Sequence, residues 1–171
     1  MELQALLESL LFVADQPVTA AQLAQALEIE RETVEQALVA MDEACVSQGR
    51  GLRLQRKGER VQLVSHPEAG PYIQRFLGLE LSGPLSQAAL EALAIVAYRQ
   101  PVTRAQVEAI RGVNSDAVLR TLVNRGLVEE VGRLEQVGRP ILYGTTFEFL
   151  QQFGLANLGE LPPLEQETAS A

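Results

Sequence analysis

The chain holds one cysteine, Cys45, and one histidine, His66. A zinc site takes roughly three or four such ligands and a disulfide takes a pair of cysteines, so the sequence offers neither. Cys45 lies on an apolar helical stripe with Val34, Ala37, Leu38 and Met41, the place of a small core hydrophobe and not of an activated nucleophile. His66 precedes Pro67 just after a predicted strand, with no nucleophile or second titrating partner beside it. It reads as a solvent-facing turn or cap residue. The carboxylate pairs Asp42-Glu43 and Glu129-Glu130 are neighbours in sequence and do not point into one site, so they read as solvated faces. The glycine-rich phosphate loops, the paired-histidine zinc motif and the serine-hydrolase elbow are all missing. The expectation is a protein that is not an enzyme and carries no metal or cofactor.

What remains are arginines and aromatic rings. Tyr143, Phe147, Phe149 and Phe153 fall close together near the end of the chain, and Arg133 and Arg139 stand just before them. Clustered aromatics pack a small domain or form the centre of a binding surface, and both uses remain open for these four rings.

The elements that must position them repeat. In the second half Leu90, Leu93, Ala94 and Ala97 mark one helix face, and Pro101 ends that helix. Thr103 is placed to cap a short helix over Arg104–Ile110, and Asn114 to cap a third over Ser115–Arg125, which Gly126 stops. Leu127–Val131 and Ile141–Thr145 alternate as strands around a long tip, and a short helix is expected over Thr146–Gly154. The phrase QPVTAAQL at Gln16 echoes QPVTRAQV at Gln100, and Leu7-Glu8-Ser9-Leu10 parallels Leu90-Glu91-Ala92-Leu93, which marks an internal duplication. The first copy has helices over Glu2–Ala14, around Ala20–Leu27 and over Arg31–Ser47. A hairpin turning at Lys57-Gly58 follows, then a short helix over Pro71–Leu77 with Tyr72, Ile73, Phe76 and Leu77 to bury.

Three helices and a hairpin make a winged helix. The expected fold is mainly α with small β-hairpins (α+β), two tandem winged-helix domains. Their expected limits are 1–80 and 81–160, with Gly78–Pro84 as hinge and 161–171 as a disordered tail.

Charge narrows the function. The net charge is −8, with seven basic against twelve acidic residues before position 81 and seven against ten after it. Duplex binding relies on cations that displace counterions. The third helix of the first copy sets Arg31 against Glu32, Glu35, Asp42 and Glu43, which repels phosphate. In the second copy Arg120 and Arg125 face only Asp116, so weak DNA contact stays possible there. Two readings follow: a protein-binding adaptor, or a tandem winged-helix transcriptional regulator that binds DNA. Met1-Glu2 is no basic leader, and no apolar run nears the roughly 20 residues that span a bilayer, so a cytoplasmic protein without membrane contact is expected.

The run LSQAALEALAIVAYRQPVTRAQVEAIRGVNSDAVLRTL from Leu85 carries a resemblance. So do RGLVEEVGR from Arg125, GRPILYGTTFEFLQQFGL from Gly138 and LPPL from Leu161. Together they resemble the segregation and condensation protein B family, the winged-helix subunit of bacterial condensin. LESLLFVADQPVT and the first hairpin fit it more loosely. The resemblance implies a non-enzymatic, nucleoid-associated adaptor that forms a homodimer through its N-terminal domain. It further implies that the C-terminal domain binds the kleisin, segregation and condensation protein A, and reaches the structural maintenance of chromosomes ATPase through it. Carried onto this chain, the motif points to Arg139, Tyr143, Phe147, Phe149 and Phe153 as partner contacts.

Overall fold

The computed structural model describes residues 1–78 and 83–164. Two units of the same plan follow one another. In the first, α1 (Leu3–Val13), β1 (Val18–Thr19), α2 (Ala20–Leu27) and α3 (Arg31–Ser47) precede a hairpin of β2 (Leu52–Lys57) and β3 (Arg60–Ser65), then α4 (Gly70–Leu77). In the second, α5 (Gln87–Arg99), β4 (Val102–Thr103), α6 (Arg104–Arg111) and α7 (Asp116–Asn124) precede β5 (Val128–Arg133) and β6 (Ile141–Thr145), then α8 (Phe147–Gln152). Each unit closes with an antiparallel three-stranded sheet, ordered β1-β3-β2 and β4-β6-β5. This is the winged-helix plan twice over, and the fold class is the one the sequence predicts.

The repeated QPVT phrase does the same work in both copies. Thr19 and Thr103 each sit in extended backbone before a helix, accept from the amide of the glutamine three residues on, and have their own amide taken by that glutamine's side chain. This reciprocal box satisfies two of the free amides at a helix start, and the side-chain acceptor alone is worth about 1 kcal/mol. The preceding valine pairs its strand to the wing: Val18 faces Val61 and Val102 faces Tyr143. One phrase therefore starts a helix and fastens the wing to it. Asn114 acts nearly as expected; its side chain accepts from the Asp116 amide at 3.1 Å, one residue outside the Ser115 cap.

Each unit has its own apolar core. Leu7, Leu11, Leu23, Val34, Leu38 and Met41 fill the first, with Cys45 buried close by on the same helix. Burial raises the Cys45 thiol above its ordinary value, which suits a core residue. Leu93, Val96, Val107, Leu119, Leu122 and Phe149 fill the second.

Two expectations change. Helix α4 forms, but its apolar residues are not buried: Phe76 is 87% exposed, and Tyr72 and Leu77 are also in water. Periodicity gave the helix an apolar face, yet neither core reaches it. Leu161 and Pro162, assigned to the tail, are instead held. Leu161 packs on the second core, and the Tyr98 hydroxyl donates to the Pro162 carbonyl at 2.6 Å. Positions 79–82 of the expected hinge and 165–171 of the expected tail lie outside the described residues.

The units touch along the outer edge of β2. The Arg56 amide donates to the Ala156 carbonyl at 2.8 Å. Gln55, only 1% exposed, donates to the Leu155 carbonyl at 2.8 Å and accepts from Gln62. Arg53 donates to the Gly154 carbonyl at 3.0 Å and pairs with Glu160, while Lys57 pairs with Glu129. Pairing the buried amide removes a penalty of about 1–3 kcal/mol.

Candidate functional site

The second wing carries two of the sequence-predicted residues, Arg139 and Tyr143. Its tip is tied by the Leu134 amide donating to the Pro140 carbonyl and the Arg139 amide donating to the Gln136 carbonyl, both at 2.9 Å. Gly138 has φ of 85° and Arg139 φ of 37°, so two successive residues adopt left-handed backbone. Glycine does so freely, but a non-glycine residue pays about 1–3 kcal/mol, and such residues concentrate where function fixes the chain. Arg139 is one of these.

Between this tip, α6 and the start of α7 lies a hollow of about 400 Å³, lined by Arg104, Asp116, Arg133, Arg139, Ile141 and Tyr143 among others. Asp116 is its one acidic side chain. Arg104 donates to it at 2.9 Å and Arg120 holds its other oxygen. The Arg104 hydrogen bond, then the Arg120 charge, keep this carboxyl below its ordinary 3.8, and Arg104 moves upward in answer. Tyr143 is half-buried, and its burial, with the nearby Glu130 charge, pushes the phenol above 10.0, so it stays a neutral donor.

The predicted residues divide into two groups. Arg139 and Tyr143 line the hollow. Phe147 and Phe149 lie on α8 and Phe153 is its C-cap; Thr146 starts the helix by accepting from the Phe149 amide at 3.0 Å. Phe149, expected as a partner contact, is 3% exposed and packs inside the core, one turn before Phe153. Phe147 packs partly buried against the same core. Phe153, 44% exposed, lays its ring 4.9 Å from that of Phe149 at 39° and keeps its outer face in water. Of the five, Arg139 and Phe153 are exposed, Tyr143 and Phe147 are partly buried, and Phe149 is buried.

Sequence reasoning did not bring Arg104, Asp116 and Arg133 together around one hollow. Arg104 follows the capping threonine of α6, and Arg133 ends β5; only the folded sheet brings them to one place. A second cleft, of about 660 Å³, opens between the units and is lined by Arg53, Gln55, His66, Glu148 and Gln151 among others. His66 there accepts from the Glu68 amide at 3.4 Å and starts a short 3-10 turn, the capping role expected of it.

With this geometry in hand, comparison with known proteins is informative. A family model described as "Segregation and condensation complex subunit ScpB" matches residues 5–164. The chain is 51% identical over 168 residues to Segregation and condensation protein B of Moorella thermoacetica, an alignment covering 98% of this chain and 86% of that protein. Among solved structures it is similar to ScpB from Mycobacterium tuberculosis, at 43% identity over 90% of this chain and 96% of that one, with a TM-score of 0.44. Another, at 26% identity over 43% of this chain and 91% of that one, with a TM-score of 0.40, is a dimer of the ScpB N-terminal domain complexed with an ScpA peptide.

Proposed function

The chain belongs to the segregation and condensation complex subunit ScpB family, and from that premise we propose that it is a non-enzymatic adaptor of bacterial condensin, acting in chromosome condensation and segregation. The observation that carries the reading is the family match, which runs through both winged helices from residue 5 to residue 164. In this reading the first domain pairs two copies of the chain. The second binds the kleisin, segregation and condensation protein A, and through it the structural maintenance of chromosomes ATPase, in the cytoplasm at the nucleoid. No helix among the described residues is long and apolar enough to cross a membrane.

The surfaces are consistent with this division. The first unit leaves Phe12, Val13, Tyr72 and Phe76 in water, apolar side chains that an interaction surface would cover. A unit of this size buries only about 60% of its unfolded surface, so pairing adds stability it otherwise lacks. The second unit offers Arg139, Tyr143 and Phe153, with Phe147 partly buried behind them.

The regulator reading is weaker on the same geometry. Arg31, the single cation of α3, pairs with Glu59 at 3.0 Å and lies 3.8 Å from Glu35. Arg120 of α7 is held by Asp116. The helices that would enter a major groove thus bring one arginine each, already paired with an acidic neighbour, and DNA contact is weak at most.

The test is co-expression with the kleisin of the same genome, followed by light scattering of the purified chain. Retention of the kleisin and a mass of two 18.6 kDa chains are expected. A lone monomer that retains no kleisin and binds duplex DNA in a steeply salt-dependent way refutes the proposal.

A further inference from the structure

We propose that the hollow beside the second wing reads a carboxylate: it receives an acidic side chain of the bound kleisin segment, with an apolar neighbour of that residue resting on Ile141 and Tyr143. The inference rests on the adaptor reading and names the chemistry of the segment that the second domain takes.

The charges around the hollow are unequally committed. Asp116 is saturated by Arg104 and Arg120, so the one acidic group in the lining does not repel an incoming anion. Arg139 pairs at 3.1 Å with Glu135 of its own loop, and both side chains are mostly in water. A pair so exposed contributes little and is readily exchanged. Arg133 meets no carboxylate among the described residues; its guanidinium donates only to the Arg139 carbonyl, at 3.2 Å. A guanidinium carries five N–H donors in a planar fork that matches a carboxylate with two parallel hydrogen bonds. The wing therefore holds one uncommitted fork and one loosely committed fork, side by side, at the mouth of a preformed hollow.

Three further features point the same way. The wing tip holds the Arg139 backbone in a left-handed turn at the mouth of the hollow. The floor is mixed, with Ile141, Pro140 and the half-buried Tyr143 ring beside the cations. Its volume of about 400 Å³ falls within the roughly 300–1,000 Å³ typical of ligand sites. A polynucleotide suits it less well. Successive phosphates need a track of cations, whereas Glu130 and Glu135 of the same wing would confront the strand. A single carboxylate flanked by apolar side chains needs only the two arginines and takes the place of Glu135 on Arg139.

The experiment titrates the full chain with the full-length kleisin of the same genome by calorimetry, at low and high salt. The variants are Arg133→Glu/Arg139→Glu and the milder Arg133→Gln/Arg139→Gln. Both arginines are exposed, so unchanged circular dichroism is expected. Losing charge-assisted hydrogen bonds should weaken binding by about ten- to a hundredfold in the Glu variant and by less in the Gln variant. The native chain should bind more weakly as salt rises, with a shallower salt dependence for either variant. Replacing the contacting kleisin acid by lysine should restore binding to the Glu variant. Undiminished binding by the Glu variant overturns the proposal and leaves the adaptor reading standing, whereas no binding by the native chain overturns both. Loss of duplex DNA binding with kleisin binding intact would assign the arginines to phosphate, and lost dichroism would assign them to structure; either result overturns the proposal.

Discussion

Phe149 and Phe153 stack on each other yet should behave differently when truncated. Phe149 is 3% exposed and packs among Leu119, Leu122, Leu127 and Leu150. Removing such a ring leaves a cavity and costs about 3–5 kcal/mol, a large part of the roughly 5–15 kcal/mol that holds a domain together. Phe153 is 44% exposed, so its truncation forfeits only about half of the roughly 1.5–3 kcal/mol of a fully buried ring. Each single variant also loses the ring pair at 4.9 Å, worth about 0.5–1.5 kcal/mol. Urea titration followed by circular dichroism of Phe149→Ala, Phe153→Ala and the double variant reads all three quantities. The expected order is a much lower midpoint for Phe149→Ala, a modest shift for Phe153→Ala, and a double variant less destabilised than the sum by about the pair energy. Kleisin affinity measured where Phe153→Ala is still folded should fall, since its outer face is free. Equal destabilisation by the two single variants, or strict additivity, would refute the assignment of one ring to the core and the other to the surface.

The remaining predictions concern the frame that holds the site. A Cβ at Gly144 would stand 2.9 Å from Val131 Cγ1 and 3.1 Å from Gln100 Oε1, which itself accepts from the Thr145 amide. Gly144→Ala should therefore lower stability by about 1–3 kcal/mol, read as a lower urea midpoint, and loosen the wing. Asp42 has a carboxylate oxygen buried without a partner among the described residues, and its pKa is raised above 3.8, by burial first and against the pull of Arg53. A carboxyl with a raised folded pKa gives stability that is present below its unfolded value and lost as pH rises through the folded one. Asp42→Asn removes that loss, so its thermal midpoint should gain on the native chain as pH rises from below 3.8 towards neutrality. A constant difference across that range would show that Asp42 is not the group responsible.

Much of the fold is written locally. Thr19 and Thr103 announce helix starts because a capping threonine with glutamine three residues on acts through bonds within one turn. The limits of α3, Arg31–Ser47, follow from periodicity in the same way. The α4 residues show where local reasoning stops. Tyr72 and Phe76 have helical spacing, but spacing does not say whether another element lies opposite. Phe149 and Phe153 differ for a related reason: both follow the helical repeat from Thr146, and only the packed core separates the inward ring from the outward one. The hollow was the least legible part. Its arginines come from α6, β5 and the wing tip, and their proximity exists only once β4 and β6 have paired.

The meeting of β2 with residues 154–156 also bears on solubility. A terminal strand of a small sheet normally presents unpaired amides and carbonyls, a template on which other chains aggregate. Here the Ala156 carbonyl takes the Arg56 amide and the buried Gln55 side chain takes the Leu155 carbonyl, so part of that edge is already occupied. The strand on the far side of that sheet, β1, is only two residues long. The duplication thus does more than repeat a domain: the tail of one copy shields part of the sheet edge of the other, and the chain is kept from pairing with itself there strand by strand.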